Sequence, residues 1–264
     1  GQVSRMRLHI AHANGIQGAV YQPLAKLINA NVFAIQQFGH NSAFPVKAEW
    51  DALVEEFIQY LIENSGGEKV FLVGHSLGAL LSFKVAHARP DLVSGLLMLD
   101  PPLLYGWTVW PARLARMLGK IDDFTPARLS KRRKRHWYSL EEAHAYFLKK
   151  SFYTQFDKQC FDLWLKHGIK KVSDGYALSY EVDTEVEIFR TTPLYLSQLK
   201  GRLRVPAWLV YADDSDVCRR RCVEPFASKY GLRVSTTQGG HMFPLVRLEQ
   251  TAAIINQCLS EIVR

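Results

Sequence analysis

The chain reads as an α/β protein, a mostly parallel sheet of about six strands with helices on both faces. A mainly helical insertion precedes its last two strands. Two patterns lead there. Short apolar, β-branched runs alternate with helical periods along residues 1–100 and again along residues 201–264. Between them, residues 101–200 are rich in aromatics and charge, with helical patterns but no run that reads as a buried strand. A third observation marks the functional centre. Gly74-His75-Ser76-Leu77-Gly78 stands where an apolar run, Val70 to Val73, gives way to a helix-compatible one, Ala79 to Ala88.

Met6 to Ala11 is the first strand, closed by a turn at Asn14-Gly15. Tyr21, Leu24, Leu27 and Ile28 give the next helix its apolar side, and Asn31 to Ile35 is a second short strand. Trp50, Leu53, Val54, Phe57, Ile58, Leu61 and Ile62 follow the i, i+3, i+4, i+7 rule up to a stop at Ser65-Gly66-Gly67. The third strand is Lys69 to Val73, and the helix after Ser76 closes at Arg89-Pro90. Ser94 to Leu99 is the fourth strand, ended by Asp100-Pro101-Pro102. After Pro206 the alternation resumes with strands at Ala207 to Tyr211 and Leu232 to Ser235. A helix covers Arg221 to Tyr230, and a last one carries Leu248, Ala252, Ile255, Leu259 and Ile262 on one face. Residues 1–100 and 201–264 thus form the core, and residues 101–200 form a cap on the side where strands end and site loops gather.

With 264 residues, 48% of them apolar, the chain can bury a large core, which excludes domain-scale disorder. No stretch approaches the ~20 apolar residues of a membrane span, and the N-terminal residues lack the apolar centre of a secretory signal. A cytoplasmic location without stable membrane association is expected. Cys160, Cys218, Cys222 and Cys258 show no zinc spacing, so neither a disulfide nor a metal is expected. The net charge of +8 is uneven: residues 101–171 hold 15 Lys and Arg against 6 Asp and Glu. The run Lys131 to Arg135 precedes Ser139, an N-cap with Glu142 in the box position, so it reads as a solvated face and not a nucleic-acid site.

A Gly-x-Ser-x-Gly between strand and helix forces a sharp turn that exposes the serine hydroxyl beside a helix N-terminus. That hydroxyl needs a base, and the base needs a carboxylate to orient it. Among the histidines after Ser76, only His241 lies in a loop after a strand, framed by Gly239, Gly240 and Pro244. The acid is expected after the preceding strand, in Asp213-Asp214-Ser215-Asp216. Asp214 is preferred, with Asp216 and then Asp213 as alternatives. Asp100, at the end of the fourth strand, is a different candidate position for the acid, but with Pro101 and Pro102 after it a structural role in fixing the entry to the cap is preferred. The N–H groups of Leu77 and Ile16 are the expected oxyanion donors. Asn14, Gly15, His75, Trp107 and Met242 are candidates for lining a substrate pocket.

Asn14-Gly15-Ile16, Gly39-His40, Gly74-His75-Ser76-Leu77-Gly78, Asp214 and Gly239-Gly240-His241 together resemble the α/β-hydrolase fold superfamily, in particular its esterase-like members with a helical cap. Asn14 stands where the family usually has the His of a His-Gly pair. The resemblance implies that the sheet begins at the family's third strand, with the first two missing. It also implies a serine hydrolase without a cofactor, acting on a moderately apolar ester or acyl compound. Carbon–carbon bond hydrolysis or acyl transfer would use the same residues. A catalytically silent small-molecule-binding protein is the reading from another class.

Overall fold

The computed structural model describes residues 5–263; the N-terminal residues 1–4, part of the segment read above for a signal, lie outside it. The elements that position the site are, in chain order, β1 (Arg7–Ala11), β2 (Asn31–Phe33), α1 (Asp51–Asn64), β3 (Val70–His75), α2 (Leu77–Ala88) and β4 (Val93–Leu99). The insertion then contributes α3 (Val109–Met117), α4 (Ala127–Lys131), β5 (His136–Trp137), α5 (Leu140–Leu148), α6 (Lys158–His167), β6 (Ile169–Val172), β7 (Gly175–Leu178) and α7 (Val182–Arg190). The chain closes with β8 (Ala207–Ala212), α8 (Arg220–Tyr230), β9 (Arg233–Thr237) and α9 (Leu248–Val263).

Six strands form one sheet in the order β2-β1-β3-β4-β8-β9, every pair parallel. All six positions of β3 are buried, because helices cover both faces of the sheet. Successive side chains enter opposite cores: Phe71 and Val73 pack with Ile255 and Leu259 of α9, while Val70 and Leu72 pack with Leu53 and Phe57 of α1. Each such fully buried side chain contributes about 1.5–3 kcal/mol. Register brings the C-terminal ends together, with Gly74 opposite both Ala11 and Met98. The site loops therefore leave the sheet from neighbouring strands.

Three expectations change in detail. The second strand stops at Phe33, and the helix after the first turn shrinks to a 3-10 turn, Gly18–Tyr21, followed by Gln22–Ala25. The insertion also holds a small antiparallel sheet, β5-β7-β6, besides its helices. Strands of two to four residues leave too little alternation to read in sequence. Ser139 does cap α5, accepting from the Glu142 N–H at 3.1 Å, and the Glu142 carboxylate accepts from the Tyr138 N–H. The basic run beside it is not wholly solvated. Arg133 turns inward to donate to the buried Glu185 carboxylate (2.9 Å) and to the Tyr153 hydroxyl. All four cysteines are buried free thiols. Among the described residues no helix is long and apolar enough to cross a membrane.

Candidate active site

Ser76 sits at φ 55°, ψ −114°, a strained conformation for a residue with a side chain. Two glycines make that turn fit. A Cβ on Gly74 would run into the Gly78 carbonyl, and one on Gly78 would run into the Ala11 carbonyl of β1. The Ser76 N–H still donates to Leu99 O (3.0 Å), so the turn hangs from the end of β4. The hydroxyl stands at the start of α2, a helix whose first N–H groups have no partner within the helix.

His241 and Ser76 meet as expected: the His241 Nε2 lies 3.0 Å from the Ser76 Oγ. The other ring nitrogen overturns the expected acid. His241 Nδ1 lies 2.5 Å from Oδ2 of Asp100, at the end of β4. Asp100 is completely buried, with φ 48°. Its Oδ1 accepts from the Ala212 N–H (2.8 Å), and its Oδ2 also accepts from the Ser215 hydroxyl (2.7 Å). A carboxylate held by these donors can direct a lone pair at the imidazole only if Nδ1 carries the proton, which leaves Nε2 to accept from serine. Asp214, Asp216 and Asp213 are all exposed. Asp214 contributes its backbone N–H to Gly239 O (3.0 Å), and Asp213 accepts from the Gly239 N–H (3.1 Å). Two of the three acids thus fasten the His241 loop without reaching the ring. The one signal for Asp100 in sequence was an acid directly after the apolar end of a strand, Leu96 to Leu99.

The turn after β1 also departs from expectation. The Ile16 N–H donates to Ala13 O at 3.1 Å and is not free for a ligand. Among the described residues, the Asn14 N–H on the same turn has no acceptor. The Asn14 side chain is held by the insertion: its Nδ2 donates to Glu185 O (3.0 Å), and its Oδ1 accepts from the Tyr180 hydroxyl (2.9 Å). The Glu185 carboxylate lies directly against Gly15, whose φ is 88°. Helix α7 therefore covers the turn beside Ser76, and Arg133 balances the charge it brings.

Of the other pocket candidates, Met242 and His75 are buried and Trp107 is exposed. Trp107 faces outward, with the Arg221 guanidinium 5.3 Å from its ring. His75 is fully enclosed and forms a hydrogen-bonded chain that sequence reasoning missed. The Ala13 N–H donates to the Tyr21 oxygen (3.1 Å), which lies 2.7 Å from His75 Nδ1. His75 Nε2 lies 2.8 Å from the His241 carbonyl. A backbone N–H can only donate and a carbonyl can only accept, so the ends set the direction of the chain. Tyr21 donates to Nδ1, and the proton of His75 sits on Nε2. Burial, with the neighbouring His241, pushes the His75 imidazole down to about 3, which keeps it neutral. The turn after β1, the Ser76 elbow and the His241 loop are thereby tied together.

The family model described as "Alpha/beta hydrolase family" matches residues 10–254. Lipase LipV of Mycobacterium tuberculosis is 32% identical over 124 residues, 46% of this chain and 47% of that protein. The chain thus matches about half the length of that curated relative. Among solved structures, E-2-(acetamidomethylene)succinate hydrolase aligns over 98% of this chain and 93% of its own, with a TM-score of 0.75 at 17% identity. A peroxisomal alpha-beta-hydrolase of Saccharomyces cerevisiae aligns over 98% and 78%, with a TM-score of 0.76 at 16% identity. At such identities the structural likeness speaks for the fold alone.

Proposed function

We propose, from the premise that this chain belongs to the alpha/beta hydrolase family, that it is a serine hydrolase cleaving a carboxylic ester or similar acyl compound. One observation carries this reading: Ser76, His241 and Asp100 stand in hydrogen-bonding series, 3.0 Å and then 2.5 Å. Removal of the hydroxyl proton by Nε2 accompanies attack of Oγ on the acyl carbon, and the Asp100 carboxylate stabilises the imidazolium that forms. The N–H groups of Leu77 and Asn14, which have no acceptor among the described residues, are the donors assigned to the developing oxyanion. When the tetrahedral adduct collapses, His241 returns the proton to the leaving oxygen. Water, deprotonated by the same ring, then releases the acyl group from Ser76. Each N–H aimed at an oxyanion is worth about 3 kcal/mol of transition-state stabilisation. The cover of α7 over Asn14 and Gly15 favours a moderately apolar acyl group, since water is kept from that side.

A fluorophosphonate probe tests the chemistry. It should label Ser76 in the wild-type protein, located by mass spectrometry, and leave Ser76→Ala unlabelled. Turnover of p-nitrophenyl esters of increasing acyl length reports the substrate class. An unlabelled Ser76 would overturn the proposal, and labelling without turnover of any ester would remove its esterase part.

A further inference from the structure

Helix α3 is turned inside out. Its inner row, Val109, Ala112 and Ala115, is small and buried beside Ile121 and Leu194. Large apolar side chains of α3 and of the residues flanking it recur at helical spacing on the opposite side: Trp107, Trp110, Leu114, Met117 and Leu118 are 67%, 66%, 56%, 81% and 63% exposed. Phe124 and Leu129, on the segment that follows, extend the exposed apolar set. Isolated exposed apolar residues need no explanation, but a continuous stripe of this size marks an interaction surface.

The stripe cannot roll inward. Arg113 donates to Leu194 O (3.0 Å), and Arg116 donates to Arg190 O (2.8 Å) and Thr192 O (2.7 Å) while pairing with Glu49. These bonds spend the polar groups on the inner side of α3 and hold its apolar side to solvent. The charge around the stripe is one-sided. Asp122 and Asp123 are already paired, with Arg190 and Arg128. Among the described residues, Lys120, Lys131, Arg132 and Arg221 have no carboxylate partner. Guanidinium groups also lie over both indoles, Arg113 at 4.7 Å from the Trp110 ring and Arg221 at 5.3 Å from that of Trp107.

We propose that this face adsorbs reversibly to an anionic lipid bilayer. Indoles settle at the boundary between acyl chains and headgroups, the aliphatic tips of Leu114 and Met117 enter the acyl layer, and the basic residues meet lipid phosphates. A protein partner would need the carboxylates that match this basic surround, whereas an anionic membrane presents its charge uniformly. Such reversible adsorption needs no spanning segment, and no helix among the described residues is long and apolar enough to be one. Adsorption does not depend on the proposed ester chemistry.

The test is co-sedimentation of the whole chain with vesicles of phosphatidylcholine alone or mixed equally with phosphatidylglycerol, read alongside tryptophan fluorescence. Binding is expected to the anionic vesicles, with a blue shift, and to weaken steeply at about 0.5 M salt. Ser76→Ala should bind like wild type, which separates this outcome from the hydrolase reading. The triple substitution Trp107→Ser, Trp110→Ser, Leu114→Ser should lose about tenfold or more in partitioning. Lys131→Glu with Arg132→Glu should lose about fivefold per charge, without touching an apolar residue. The proposal fails if anionic vesicles capture no protein, or if both variants partition like wild type. It also fails if the wild-type chain is a dimer that the triple substitution turns into a monomer, because a second copy would then cover the stripe.

Discussion

Replacing Asp100 by Asn should abolish catalysis while sparing the fold. The Asn Oδ1 can keep the bond from the Ala212 N–H, now 2.8 Å, but the Ser215 hydroxyl, whose oxygen already accepts from the Val217 and Cys218 N–H groups, loses its acceptor. Stability should therefore fall by about 1–3 kcal/mol. The NH₂ would also face His241 Nδ1, where a carboxylate oxygen now lies at 2.5 Å. Two donors cannot share that gap, so the ring must move its proton to Nε2 and then donates to Ser76 instead of accepting from it. Loss of the base and of the charge opposite the imidazolium should lower kcat by about 10⁴-fold, or about 5.5 kcal/mol of barrier. Asp214→Asn, at an exposed side chain, should stay within about twofold. Steady-state hydrolysis of a p-nitrophenyl ester, with fluorophosphonate labelling rates as an independent measure, reads both variants. A collapse in Asp214→Asn with Asp100→Asn near wild type would refute the assignment of the acid.

Three further outcomes follow from the same geometry. Tyr21→Phe strips the partner from the Ala13 N–H and from His75 Nδ1; it should cost about 2–4 kcal/mol in urea denaturation and lower kcat with KM nearly unchanged, and a pure KM effect would count against the tie between turn and elbow. Arg133→Met leaves the Glu185 carboxylate buried without its cation; it should destabilise by about 3–5 kcal/mol, and adding Glu185→Gln should restore most of that, so additive losses would argue against the pair. Burial first of all lowers His9 to about 3, His12 to about 4 and His75 to about 3, from 6.5, while it raises Glu56 from 4.5 to about 7. Well below 6.5 the unfolded chain binds three protons that the folded one refuses, and folded Glu56 binds one that the unfolded chain does not, so between about pH 4.5 and 5.5 stability should fall by about 3 kcal/mol per pH unit. Denaturation midpoints that stay level from about pH 7 to about pH 5 would contradict that balance.

The amino-acid order was enough for the parallel core, the serine elbow and the histidine loop, because each is a local pattern. Apolar runs, helical periods and paired glycines act within a few residues of one another, and Ser76 and His241 could be singled out one loop at a time. The small sheet of the insertion was lost for the opposite reason, since strands as short as His136–Trp137 carry no period of their own. Choosing among the carboxylates required three dimensions. Asp213, Asp214 and Asp216 occupy the right loop in sequence, yet the turn sends them to solvent, while Asp100 leaves β4 at a positive φ and aims inward at the imidazole. The same holds for Ile16, whose N–H closes its own turn, and for Arg133, one of five consecutive basic residues but the one folded onto Glu185. A hydrogen bond or ion pair depends on direction and burial, and these are set by elements that meet only after the chain has packed.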